Sequence, residues 1–122
     1  MKTVLVIEDN AGIRENACEM LELEGYKVIF AVNGKAGIEF AKQNKPDIIL
    51  CDILMPEVDG YEVFNELKKD SVTAHIPFIF LTESVERNEI EVGFGMGAKG
   101  YIKKPFEAKG FFDTIKRCLN SV

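Results

Sequence analysis

An aspartate interrupts an apolar run in DIILCDILMP, where Asp52 stands between Cys51 and Ile53. Taking an unpaired carboxylate out of water costs several kcal/mol even after relaxation, so either the run reaches solvent at Asp52 or a cation meets it there. Glu8 and Asp9 follow another apolar run, VLVI; Thr82 follows FIFL; Lys103 and Lys104 end and follow GYIK. If these ends share one rim, three acids, a hydroxyl and one or two amines converge. Two carboxylates about 4 Å apart repel by roughly 4 kcal/mol at an effective dielectric of 20, so three ionised acids call for a cation. An all-oxygen donor set without His or Cys selects a hard ion, Mg²⁺ or Mn²⁺. Beside such an ion Asp52 becomes a nucleophile toward phosphorus, Thr and Lys meet the transferred oxygens, and the product is an aspartyl phosphate.

The elements that must position these residues are legible as periodicity. Five short apolar runs alternate with five segments of helical period, the pattern of βα units around a parallel sheet. The spacing predicts strands over VLVI (Val4 to Ile7), KVIFA (Lys27 to Ala31), DIILC (Asp47 to Cys51), FIFL (Phe78 to Leu81) and GYIK (Gly100 to Lys103). Runs one, three and four are apolar without alternation, whereas two and five carry Lys27 and Lys103, which makes the latter pair the edges. With right-handed crossovers, one spatial order that meets this condition is 2-1-3-4-5, and the expected fold is α/β, doubly wound, flavodoxin-like (βα)5, a five-stranded parallel sheet in one domain over 1–122. Its ligand crevice lies at the carboxyl ends of the strands, where the acids fall. Ile13, Ala17, Met20 and Leu21 stripe the first helix between an Asn10 cap and a Gly25 stop; Asp59 and Glu62 form a capping-box start for Val63, Phe64 and Leu67; Phe112, Ile115 and Leu119 stripe the last helix.

Bulk properties exclude several classes. A formal charge of −5 and no Lys/Arg cluster argue against direct nucleic-acid binding. No stretch approaches the ~20 apolar residues of a membrane span, and VLVI stops at Glu8, short of a signal sequence. Cys18, Cys51 and Cys118, an odd count without CxxC spacing, read as reduced thiols of a cytoplasmic protein. EDNAG presents two negative charges where a nucleotide- or flavin-binding loop presents glycines and amides, and GMGAKG follows a helix and leads into a strand, the reverse of the dinucleotide-binding context. It reads instead as a helix end and turn. His75 has no metal-ligand partner at a useful spacing.

The set EDN near the start, D-x-x-M-P-x-x-D-G at Asp52 to Gly60, a strand ending in Thr82, and Gly97-Ala98-x-x-Tyr-Ile-x-Lys104-Pro105-Phe106 resembles the receiver domain of bacterial two-component response regulators over essentially the whole chain. The resemblance implies that Asp52 is the phosphoacceptor, that Glu8, Asp9, Asp52 and the Leu54 backbone carbonyl hold the metal, and that Thr82 and Lys104 contact the phosphoryl group. Tyr101 falls at the switch aromatic position, Lys103 is left as a strand-edge charge, Phe106 as packing, and the Lys104–Pro105 bond is expected to be cis. The implied donor is a histidine kinase or histidine phosphotransfer protein. The implied readout is a population shift on the face of the fourth helix, fifth strand and fifth helix, presented to a downstream protein or output domain. Beyond slow self-phosphorylation and autodephosphorylation no enzyme activity is expected. A haloacid-dehalogenase-like phosphohydrolase needs a second acid two positions after the nucleophile, where Leu54 stands; a degenerate receiver acting only as a binding module would lack the full acid, Thr and Lys set. One departure is Glu83, where the family usually has a small residue; it is expected to hinder the phosphodonor or the phosphorylated form by like-charge repulsion. Leu54 and Ser84 flank the positions where water access to the acyl phosphate is tuned, and an apolar Leu54 favours slow hydrolysis.

Overall fold

A computed structural model describes residues 1–83 and 87–120. Strands and helices alternate throughout: β1 (Thr3–Ile7), α1 (Ala11–Leu23), β2 (Lys27–Ala31), α2 (Gly34–Asn44), β3 (Ile48–Asp52), α3 (Gly60–Lys69), β4 (Phe78–Thr82), α4 (Arg87–Met96), β5 (Gly100–Lys103) and α5 (Ala108–Asn120). The five strands form one parallel sheet in the order β2-β1-β3-β4-β5, the expected topology with the two lysine-bearing strands at its edges.

Because successive strand side chains point to opposite faces, the sheet feeds two cores. Leu5, Ile7, Ile49, Cys51, Phe78 and Phe80 pack with Val63, Phe64 and Leu67 of α3 and Ala41 of α2. Val4, Val6, Ile48, Leu50, Ile79 and Leu81 pack on the other face with Ala17 and Leu21 of α1 and Phe111, Ile115 and Cys118 of α5. Burying each large aliphatic or aromatic side chain here contributes about 1.5–3 kcal/mol, which explains why β3 and β4, covered on both faces, carry no solvent-facing alternation.

Four strand boundaries differ from the sequence reading, the first being β1, which begins at Thr3 and not Val4. β3 begins at Ile48 and runs on to Asp52, and β4 runs on to Thr82, because the ladder pairs Asp52 with Leu81 and Thr82 with Lys103 through backbone groups that are indifferent to side-chain polarity. The buried stripe of α5 is Phe111, Ile115 and Cys118; of the predicted row, Ile115 lies in this stripe and Phe112 and Leu119 are half-buried at its margin.

The punctuation is as read. The Asn10 carboxamide oxygen accepts from the Ile13 amide at 3.0 Å, and Asp59 and Glu62 form a reciprocal capping box at the start of α3. GMGAKG ends α4 and turns into β5, with Gly97 at φ 112°. The chain that leaves β3 folds back so closely that a Cβ at Gly60 would collide with the Asp52 carbonyl oxygen and lie 2.8 Å from Ile53 Cα, so only glycine fits at the first position of α3. This return keeps the carboxyl end of β3 short and fixed.

Candidate functional site

Register decides which side chains meet. Ile7 pairs with Cys51, so one step beyond the ladder Glu8 lies beside Asp52. Both continue the rows Val4, Val6 and Ile48, Leu50 on the α1 and α5 face, and Lys104 continues the row of Ile102 onto the same face from the edge strand. One carboxylate oxygen each from Glu8, Asp9 and Asp52 lies within 4.8 Å of the others, with Glu8 and Asp52 buried and Asp9 exposed. Lys104 reaches past β4 to place its ammonium 2.6 Å from Glu8 Oε1 and 2.9 Å from Asp52 Oδ1.

Both alternatives raised by the run DIILCDILMP are thereby answered in an unanticipated way. Asp52 ends its strand but is only 6% exposed, and the cation that meets it is the chain's own lysine. Asp52, Leu54, Tyr61, Thr82, Glu83 and Lys104 line a cleft of about 420 Å³, so the acid, hydroxyl and amine of the sequence reading do converge. The Leu54 side chain is exposed at its mouth, and the Lys104 amide donates to the Thr82 carbonyl at 2.8 Å, locking the two strand ends together. Lys103 is exposed, as expected of an edge charge, and the Lys104–Pro105 bond is cis. Phe106 packs at 5.0 Å from Phe111. Tyr101 is half-buried outside the cleft, its ring 5.5 Å from Phe80 and 5.3 Å from Phe94 of α4. Ser84 lies outside the described residues.

Periodicity could not reveal two contacts. The Arg14 guanidinium donates to the Glu8 carbonyl at 3.0 Å and the Asn10 amide donates to Glu8 Oε2 at 3.2 Å, so α1 holds the acidic loop from behind. Asn10 was recognisable only as a cap, and nothing in the spacing of Arg14 pointed at Glu8.

Burial is the largest influence on Glu8 and pushes its carboxyl up to about 7; the Lys104 hydrogen bond pulls it down without cancelling burial, and Asp52 adds to the rise. Burial also acts to lower the Lys104 ammonium, but the hydrogen bonds and charges of Glu8 and Asp52 outweigh it and leave the group raised. A carboxyl that holds its proton up to about 7 when folded, against 4.5 otherwise, binds more protons in the folded than in the unfolded chain between those values. Its stabilising contribution is whole below the lower value and disappears as pH rises through the upper one. The expected result is that the unfolding free energy of the metal-free chain, measured by urea titration in chelator, declines between about pH 4 and pH 8 by on the order of 3 kcal/mol relative to Glu8→Gln. Parallel pH profiles for the two proteins would exclude this assignment.

The donor set fits a hard divalent ion. Glu8 Oε1 is buried, and the Lys104 ammonium 2.6 Å from it is itself a positive charge standing among the acids. Three convergent carboxylates with no nitrogen or sulfur ligand match Mg²⁺ chemistry. The buried Cys51 next to Asp52 is no competitor, since burial holds its thiol well above the ordinary range.

Fold and site together define a doubly wound domain whose ligand edge carries a buried acid and lysine cluster, at the place where open α/β sheets bind ligands. The chain belongs to the response regulator receiver domain family, which its residues 4–116 match. It is 34% identical to the protein PilH of Pseudomonas aeruginosa over 119 residues, 98% of each chain. Among solved structures it resembles the chemotaxis protein CheY4 of Vibrio cholerae, with a TM-score of 0.92, 28% identity and coverage of 97% and 98%. It also resembles the receiver domain of the sensor histidine kinase PA1611 of Pseudomonas aeruginosa, described with a magnesium ion in its active-site cleft, with a TM-score of 0.90, 27% identity and 98% coverage of both chains. Other matched relatives are longer, and the chain spans about half of them (49% and 52%). Its class of function is that of receiver domains in two-component response regulators, phosphorylation-dependent signalling.

Proposed function

We propose that Asp52 accepts a phosphoryl group from a histidine kinase or histidine phosphotransfer protein. A carboxylate oxygen of Asp52 forms the new P–O bond as the donor's P–N bond breaks, and the donor imidazole nitrogen keeps the electron pair. The observation that carries this reading is the Lys104 ammonium shared between Glu8 and Asp52 at the head of a cleft that also holds Thr82. The Lys104 ammonium, 2.9 Å from Asp52 Oδ1, is within reach of the oxygens delivered to it; the Thr82 hydroxyl supplies a hydrogen-bond donor to the same oxygens. Glu8, Asp9, Asp52 and the Leu54 carbonyl would hold Mg²⁺, or Mn²⁺ in its place, which when bound supplies charge neutralisation for acids and phosphoryl group alike.

When Thr82 and Lys104 turn toward a phosphoryl group, Tyr101 is placed to report the change, since its ring lies between Phe80 of the core and Phe94 on exposed α4. The face of α4, β5 and α5 then meets a downstream protein or output domain. Incubation with acetyl phosphate and Mg²⁺ tests the function: stoichiometric labelling supports a switch, multiple turnover a phosphohydrolase, and no labelling a binding module. Leu54 at the second acid's position favours the first outcome.

Glu83 is exposed and lines the same cleft. It places a negative charge in the path of an anionic donor. Glu83→Ala is therefore expected to label several-fold faster with acetyl phosphate at low salt, with the difference shrinking as salt screens it. Unchanged rates of labelling and loss would remove Glu83 from the account.

A further inference from the structure

We propose that the groove between α1 and the edge strand β2 docks a basic amphipathic helix of a partner protein, independently of the acid and lysine cluster. The groove measures about 500 Å³, and its apolar floor is Cys18, Leu23 and Phe30. Leu23, at the end of α1, is 82% exposed, and Phe30, on the sheet's edge strand β2, is 53% exposed. Glu15, Glu19 and Glu22 stand around this floor. Among the described residues the one cation in the lining, Arg14, is already engaged: its guanidinium lies 5.5 Å from the Phe30 ring centroid and donates to the Glu8 carbonyl.

An apolar strip bordered by three glutamates selects its occupant by charge. A second copy of this chain carries the same net −5 and would set glutamates against glutamates in a two-fold contact, and an anionic membrane or nucleic acid meets the same repulsion. The rows Arg14, Cys18, Glu22 and Glu15, Glu19, Leu23 repeat at i, i+4, so the groove runs along α1 for about 12 Å, roughly two to three turns of an apposed helix. A helix with an apolar stripe and Lys or Arg on its flanks satisfies floor and rim together.

The test titrates the isotope-labelled full chain with a synthetic helix of roughly 15 residues, a leucine stripe flanked by lysines, and with the same peptide carrying glutamates for the lysines. Amide shifts are expected at Arg14, Cys18, Leu23 and Phe30 for the basic peptide only, weakening with salt. Phe30→Ser and Glu19→Lys, both exposed positions, should each weaken binding about tenfold with the spectrum otherwise preserved. Shifts centred on α4 and α5, equal binding of the acidic peptide, or undiminished binding by Phe30→Ser would overturn the assignment. So would a dimer of the chain alone, detected by sedimentation and lost in Phe30→Ser, which would give the groove to a second copy.

Discussion

Asp52→Asn should take no label from acetyl phosphate and Mg²⁺, while the parent chain gains the mass of one phosphoryl group in an intact-mass measurement. The carboxamide is nearly isosteric but offers no anionic oxygen to phosphorus, so the expected loss is complete rather than graded. The substitution is also structurally mild. It leaves the 2.6 Å contact between Lys104 and Glu8, and it removes the Asp52 charge that helps to raise Glu8. Metal-free stability should therefore match or exceed that of the parent, with weaker Mg²⁺ binding because one of three acids is gone. Equal labelling of both proteins would move the phosphoacceptor elsewhere.

Lys104→Met should produce the largest stability change. In the metal-free chain the ammonium is the counter-charge for Glu8, which is wholly buried, and for Asp52; deleting one partner of a buried ion pair costs about 3 kcal/mol or more. Protonation of Glu8, already raised to about 7, limits that cost at low pH, so the deficit should grow as pH rises above neutrality. Added Mg²⁺ provides the missing positive charge, and the urea midpoint of the variant should rise more on adding Mg²⁺ than that of the parent. A deficit that ignores both pH and Mg²⁺ would mean that Lys104 serves packing rather than charge balance. Labelling of the variant should be reduced even at saturating Mg²⁺, because the phosphoryl oxygens lose their ammonium.

Much of this protein is legible in its sequence. Unbroken apolar runs at β1, β3 and β4 and a lysine in each of β2 and β5 were enough to assign the edge strands, because burial on both faces of a parallel sheet leaves no tolerance for polar residues in its centre, and 2-1-3-4-5 is one order consistent with those edges. The order in turn put Glu8, Asp9, Asp52, Thr82 and Lys104 at one edge, since every parallel strand ends on the same side. Caps were legible for the same local reason: Asn10, Asp59 and Glu62 act within one helical turn of their own positions.

Tertiary structure decided what distance and dielectric control. That Asp52 is buried, that Lys104 rather than solvent neutralises it, and that the same ammonium also holds Glu8 depend on a side chain crossing an intervening strand, which periodicity does not encode. The rise of Glu8, the Arg14 contact behind the acidic loop, and the outward Phe30 beside three glutamates likewise arise from neighbours brought together by packing. Sequence thus determined which chemical groups reach the carboxyl edge of the sheet, through hydrophobic period and strand polarity. Folding alone determined their charge states and partners, because those depend on separations of a few ångströms and on the exclusion of water.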